Sequence, residues 1–396
     1  MRLHPEHRRP GARPVDHAVA MPIPDTADAV VIGAGPAGLA VAASLRGVGL
    51  HAVLVDKADR VGSSWSKHYD RLHLHTVRQL SGLPGMPIPR RYGAWVARDD
   101  VLQYLADYAT DLDVHLGVTA TGLTRDTRWH VATDQGTISA DTVVVATGYN
   151  HTAKLPDLPG LSSYQGRLVH SSEYRNPAQL GGRSVLVVGP GNSGAEIAAD
   201  LAESGADVSL AVRTAPNVVL RAVAGIPSQY LVMSIAMLPL RARDAISSFV
   251  QKVSVGNLSK YGIPKAPRGI VTQQLRDDVT PTIDVGLLAA LRKGTVRVVP
   301  GVTGFTGDSV LLDDGSTVTP DSVVMATGFS RGLEGLVGPL GVLSGGKGRP
   351  AINADEQDAR YPGLYFIGYS NPLEGNLRQL NIDAKRIARK VAKGRR

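Results

Sequence analysis

The 396-residue chain has no cysteine. Disulfides, thiolate-bound metals, iron–sulfur clusters and redox dithiols are excluded together. Long apolar runs are also missing. The most apolar stretch, Tyr230 to Leu240, falls far short of the ~18–20 residues that span a bilayer, and reads as a buried or partly exposed helix. The first 26 residues are rich in Pro, Arg and His and lack the apolar core of a secretory signal. They are expected to form a disordered leader, ahead of a soluble, cytoplasmic protein. Acidic residues are outnumbered, 35 against 43 Lys+Arg, giving a net charge of +8. Seven of those cations fall in residues 385–396, where no acid stands. The rest of the chain is near neutral, so nucleic acid loses its main support as a partner. Weak membrane or partner contact by the basic tail, residues 391–396, stays open, as does a homodimer.

What the chain does contain is an internal repeat. Residues 29–56 read AVVIGAGPAGLAVAASLRGVGLHAVLVD, and residues 185–213 read VLVVGPGNSGAEIAADLAESGADVSLAVR. Gly33, Gly35 and Gly38 stand at a constant spacing of 156 from Gly189, Gly191 and Gly194. Each copy is an apolar β-branched run, then G-x-G-x-x-G, an Ala-rich helical pattern and a second apolar run. That is the strand–turn–helix–strand context of a dinucleotide site. The first glycine permits a tight turn, the second lets backbone approach a pyrophosphate, and the third allows close helix–strand packing. The helix N-terminus adds unpaired N–H groups for phosphate, with Asn192 and Ser193 beside it in the second copy. Two dinucleotides are expected.

The second strands tell the sites apart. The first ends in Asp56, followed by Lys57, a carboxylate placed for a ribose diol. The second has Val212 in that register and then Arg213. A guanidinium pairs with a 2′-phosphate that a carboxylate would repel, so this site favours NADPH over NADH. A second echo, DTVVVATGYN (141–150) and DSVVMATGFS (321–330), repeats at a spacing of 180. Each copy follows a hairpin with an Asp-Gln-Gly or Asp-Asp-Gly turn, at 134–136 and 313–315. Small residues at a strand end let chain pass close to a bound cofactor or cross between domains. Gly148 and Gly328 close these two strands.

With these motifs in view the chain resembles the two-dinucleotide flavoproteins, which hold FAD in the first site and NAD(P)H in the second. The disulfide reductases among them need a Cys pair that is absent here. The remaining likeness is to the flavin-containing monooxygenases, in particular their plant YUCCA-type branch, over about residues 27–390. The family's F-x-G-x-x-x-H-x-x-x-Y signature stands as Tyr164, Gly166, His170 and Tyr174, with Tyr for the leading Phe. Tyr174 argues mildly against the sister Baeyer–Villiger enzymes. The G-[GT]-x-W element appears as Gly62-Ser63-Ser64-Trp65, and RLHLHTVRQLSGLPGMPIP (71–89) is similar to a YUCCA segment. PTIDVGLLAALRKGTVRVVPGV (281–302) and the closing LYFIGY…DAKRIA, with Gly368 and Asp383, read as family segments.

The resemblance implies an α/β fold of two Rossmann-like domains, the second inserted into the first. The FAD-binding domain would comprise 27–150 and 326–390, and the NADPH-binding domain 151–325. It implies hydride transfer from NADPH to the flavin, then reaction with O₂ to a C4a-(hydro)peroxyflavin that oxygenates a small organic substrate. The YUCCA likeness suggests a 2-oxo acid such as indole-3-pyruvate, the broader family a soft nitrogen or sulfur. His75 stands where most of the family has Asn; with Arg78 and Gln79 it could position the flavin ring or a substrate carboxylate. His170 and Tyr174 are expected to brace the join between domains. Substrate determinants are expected in 215–280, including Lys260 and Lys265. An NADPH-dependent electron-transfer reductase is the competing class.

Overall fold

A computed structural model describes residues 22–181, 183–344 and 348–395. Most of the expected leader, residues 1–21, and the last residue of the basic tail lie outside the described residues.

The first apolar run forms strand β1 (Thr26–Ile32), and helix α1 (Pro36–Arg46) follows directly, with Pro36 at its first turn. Strand β2 (Ala52–Asp56) returns parallel to β1. The four-residue helix α2 (Ser63–Ser66) carries Trp65, and α3 (Arg98–Ala109) leads to β3 (Asp113–Leu116). Strands β4 (Ala120–Arg125), β5 (Trp129–Thr133) and β6 (Gly136–Val145) are joined antiparallel, the β5–β6 turn placing Gly136 at φ +140°. The sheet order is β3-β2-β1-β6-β5-β4, and Leu364–Phe366 adds a parallel partner to β6 from far along the chain.

Between β6 and Leu364 lies a second sheet, all parallel. Its order is Val296–Pro300, Asp207–Val212, Ser184–Val188, Ser322–Met325, Arg167–His170. Helix α4 (Asn192–Glu203) follows the Ser184–Val188 strand as α1 follows β1. Both central strands are buried on two faces, which is why they read as unbroken Val/Leu/Ile runs rather than alternating ones. The 313–315 turn forms as expected between Ser309–Leu312 and Thr317–Val318, with Gly315 at φ +81°.

The C-terminal helix Asn376–Gly394 packs on α1 through Leu380, Ala384, Ile387 and Val391. It extends through most of the expected tail. Arg395 caps it by pairing with Asp28 at 2.6 Å and with Asp141. Among the described residues no helix is long and apolar enough to cross a membrane. Tyr230–Leu240 divides between a short helix, Ser228–Ser234, and a loop that leaves Met237 exposed.

Candidate active site

The two glycine loops do the same three jobs with the same geometry. A Cβ on Gly33, at φ +114°, would lie 2.5 Å from the Ala146 carbonyl oxygen, and one on Gly38 would lie 1.8 Å from the Gly33 oxygen. In the second copy Gly189, at φ +109°, meets the Ala326 oxygen at 2.6 Å, and Gly194 meets Gly189 at 1.9 Å. Gly35 and Gly191 have no protein atom within 4 Å of such a Cβ. The first and third glycines are therefore demanded by the fold. The second is left free for what approaches the loop. The Ala-Thr-Gly echo has the same cause: each alanine carbonyl abuts the first glycine of its own loop.

From the first loop a cleft of about 1140 Å³ runs toward the second sheet, larger than the ~300–1,000 Å³ of ordinary small-molecule pockets. Gly33, Gly35, Asp56, Lys57, Trp65, Gly148, Gly368 and His75 line it on one side, and Asn192 and Pro281 on the other. Asp56 accepts hydrogen bonds from the Ala34 amide at 2.7 Å and the Ala58 amide at 2.8 Å, which pin its carboxylate beside the loop. Lys57 Nζ lies 3.1 Å from His151 Nε2, and its charge, after burial, pushes that imidazole's pKa down. His68, beside Trp65, titrates at about 4, first because it is buried and then because Arg175 and Arg98 face it. The cleft, the open Gly35 and the fixed Asp56 form a cradle that fits a dinucleotide's pyrophosphate and ribose.

Comparison with known proteins decides what the dinucleotides serve. The pyridine nucleotide-disulphide oxidoreductase family matches residues 30–222, although the chain has no cysteine pair. The probable indole-3-pyruvate monooxygenase YUCCA3 of Arabidopsis thaliana is 32% identical over 92% of this chain and 86% of its own length. The indole-3-pyruvate monooxygenase YUCCA1 of Oryza sativa subsp. japonica is 31% identical over 92% and 91%. The chain belongs to the flavin-containing monooxygenases, on their YUCCA branch. A flavin-containing monooxygenase from Stenotrophomonas maltophilia superposes with TM-score 0.73 at 25% identity, covering 94% of this chain and all of that one. Cyclohexanone monooxygenase shares the fold, with TM-score 0.71 at 20% identity over 93% and 88%. As a flavin-containing monooxygenase the chain uses FAD and NADPH with O₂ to oxygenate a small molecule.

Within this monooxygenase the expected site residues scatter. His75 sits at the cleft wall, its Nε2 3.4 Å from Glu196 of α4. Glu196 is 3% exposed and also accepts a 2.9 Å hydrogen bond from Tyr69. Its place inside the apolar face of α4 was the available signal, missed because the glycine motif absorbed that helix. Arg78 is turned away from the cleft, donating to the carbonyls of Gly93 and Ile88 at 3.0 Å each, and Gln79 is exposed. Asp383 is buried in the C-terminal helix, where it accepts from Gln379 at 2.8 Å, and burial raises its pKa. Gly328, at φ +82°, gives its carbonyl to His170. Asn192 ties the start of α4 to the Pro281 and Ile283 backbone, and Ser193 follows it in the helix. Arg213 is exposed at its strand end beside Gly301.

The Y-x-G-x-x-x-H-x-x-x-Y signature is a brace. Tyr164 donates to the Pro320 carbonyl at 2.9 Å, which accommodates the hydroxyl that Phe would lack, and its ring covers Gly166. His170 Nε2 donates to the Gly328 carbonyl at 3.1 Å while Nδ1 accepts from the Ser172 amide, so one tautomer is selected. Tyr174 is fully buried and donates to Asp200 at 2.7 Å; Asp200 also pairs with Arg71 across the interface.

A second, apolar chamber of about 100 Å³ adjoins the cleft. The two share His75, Thr76, Pro281, Ile283 and Leu373. Residues 219–270 form its walls, whereas Lys260 and Lys265 are exposed at the surface.

Proposed function

We propose that the substrate is a 2-oxo acid carrying an apolar side chain, oxidatively decarboxylated to the carboxylic acid one carbon shorter. The observation that carries this reading is the apolar chamber opening past His75 into the cofactor cleft. It is supported by the plant relatives, which are named for acting on indole-3-pyruvate. One 2-oxo acid, O₂, NADPH and a proton give the shortened acid, CO₂, NADP⁺ and water.

Residues 27–150 with 326–390 form the FAD-binding region and 151–325 the NADPH-binding region in this reading. Gly33, Gly35 and Gly38 shape the FAD loop, with Asp56 accepting from the ribose hydroxyls and Lys57, Trp65, Gly148 and Gly368 lining the bed. Gly189, Gly191, Asn192, Ser193 and Gly194 present the α4 N-terminus to NADPH, and Arg213 takes its 2′-phosphate. The bound flavin supplies hydride acceptance and oxygen activation. The chain's own work is to orient, to exclude water and to place a proton. Glu196, by accepting from His75 Nε2, fixes that ring at the chamber mouth, so His75 is the side chain offered to the reacting carbonyl. Arg78 and Gln79 support the segment that carries His75. The enzyme acts in the cytoplasm on a small molecule and O₂, as a monomer or homodimer, without nucleic acid.

Incubating the FAD-loaded enzyme with NADPH, ¹⁸O₂ and indole-3-pyruvate or phenylpyruvate is expected to put one ¹⁸O into the shortened acid. Label appearing only in amines or sulfides offered alongside would overturn the substrate class. Fast NADPH oxidation with an added electron acceptor and no label in any small molecule would point to a reductase instead.

A further inference from the structure

Arg221 lines the chamber and is the charged side chain among its lining residues. Most of the other polar side chains there are occupied. Gln229 accepts from the Val77 amide at 3.0 Å and donates to the Glu374 carbonyl. Gln251 donates to the Val218 carbonyl at 2.9 Å, and Ser228 to the Leu220 carbonyl at 2.6 Å. Among the described residues no hydrogen bond or ion pair reaches the Arg221 guanidinium. Its Cζ lies 4.5 Å from the centroid of the Trp95 ring. Stacking uses the face of a guanidinium and leaves its in-plane N–H donors for another group.

Burial lowers the Arg221 pKa, and the one opposing charge that acts on it is Glu196. Glu196 is itself bonded to His75 and Tyr69. Arg221 lines the chamber and not the cofactor cleft, and Glu196 is no ion-pair partner for it. The apolar walls include Val219, Leu231, Val232, Val250 and Ile270. At about 100 Å³ the chamber is smaller than the roughly 150 Å³ cavity that holds a whole benzene ring, so it takes a compact apolar group.

We infer that the chamber is a binding site for compact apolar carboxylates, with the carboxylate on Arg221 and the apolar group against the apolar walls. This deepens the 2-oxo acid reading, on which it rests for the identity of the reacting molecule. His75, Thr76, Pro281, Ile283 and Leu373 line both the chamber and the cleft, so a molecule held on Arg221 stays in connection with the cofactor side.

The test uses FAD-loaded enzyme and two unreactive probes of one shape, phenylacetate and phenylacetamide, followed by the change they cause in the flavin absorbance. Phenylacetate is expected to bind saturably, and Arg221→Gln to weaken it by about tenfold or more, since charge-assisted pairs are the strong ones. Phenylacetamide affinity and the rate of flavin reduction by NADPH should change less than twofold, and Arg221→Lys should recover part of the phenylacetate affinity. No saturable phenylacetate binding by the unaltered enzyme, equal losses for both probes, or no loss in Arg221→Gln would overturn the site. If phenylacetate binding depends on Arg221 while no 2-oxo acid is oxygenated, the site stands and the substrate reading falls. If 2-oxo acids are oxygenated equally well by Arg221→Gln, the substrate reading stands and the site falls.

Discussion

The three glycines of the first loop can be separated by one substitution each. Gly35 has extended backbone, φ −83° and ψ −177°, which any residue adopts, and an added Cβ would touch no protein atom within 4 Å. Gly35→Ala then gains about 0.4–1 kcal/mol from reduced freedom of the unfolded chain and loses about 0.5–1 kcal/mol at the helix cap, where Ala is poorer than Gly. Net fold stability should stay within about 0.5 kcal/mol of the unaltered chain by that balance. The methyl instead occupies the space where a pyrophosphate must approach, costing direct charge-assisted hydrogen bonds of about 1.5–3 kcal/mol, or ten- to hundredfold in FAD affinity. Gly38→Ala reverses the pattern. Its methyl would sit 1.8 Å from the Gly33 backbone oxygen, so α1 must move away from β1. Such overpacking costs about 1–3 kcal/mol or more. Urea unfolding of the apoprotein measures the first quantity, and quenching of FAD fluorescence on titration measures the second. A Gly35→Ala protein that binds FAD like the unaltered chain would refute the loop's assignment. A Gly38→Ala protein of full stability would refute the packing argument.

Arg213→Ala should raise the KM for NADPH about tenfold or more, by loss of a charge-assisted pair, with the KM for NADH changed less than twofold; equal changes for both would remove the 2′-phosphate role. His68 carries a pH dependence. It titrates at about 4 in the fold against about 6.5 unfolded. The unfolded chain therefore binds the extra proton, and the contribution is full above pH 6.5 and lost as pH falls toward 4. At pH 5 the loss is about 2 kcal/mol. Unfolding at pH 7 and pH 5 should show this loss in the unaltered chain and its absence in His68→Gln, whose side chain does not titrate.

Much of this protein follows from spacing along the chain. Each glycine loop, its strand and its helix are contiguous, so the order of small and apolar residues dictates the turn, the helix and the opening left for a cofactor. The paired Ala-Thr-Gly strands were legible for the same reason, although only the fold shows that Ala146 and Ala326 press on Gly33 and Gly189. The insertion of the second sheet between β6 and Leu364–Phe366 was implied by the family resemblance, not by the repeats alone. Side-chain roles across the interface were not. His75 meets Glu196 over 121 residues, and the Arg221 guanidinium lies over the Trp95 ring. No local pattern encodes how one Rossmann unit is seated on the other. That seating turns Arg78 toward carbonyls of its own segment and leaves Lys260 and Lys265 in solvent, while the packing of 219–270 encloses Arg221. The backbone devices were set by local sterics; the chemistry facing the substrate was set by the docking of two units.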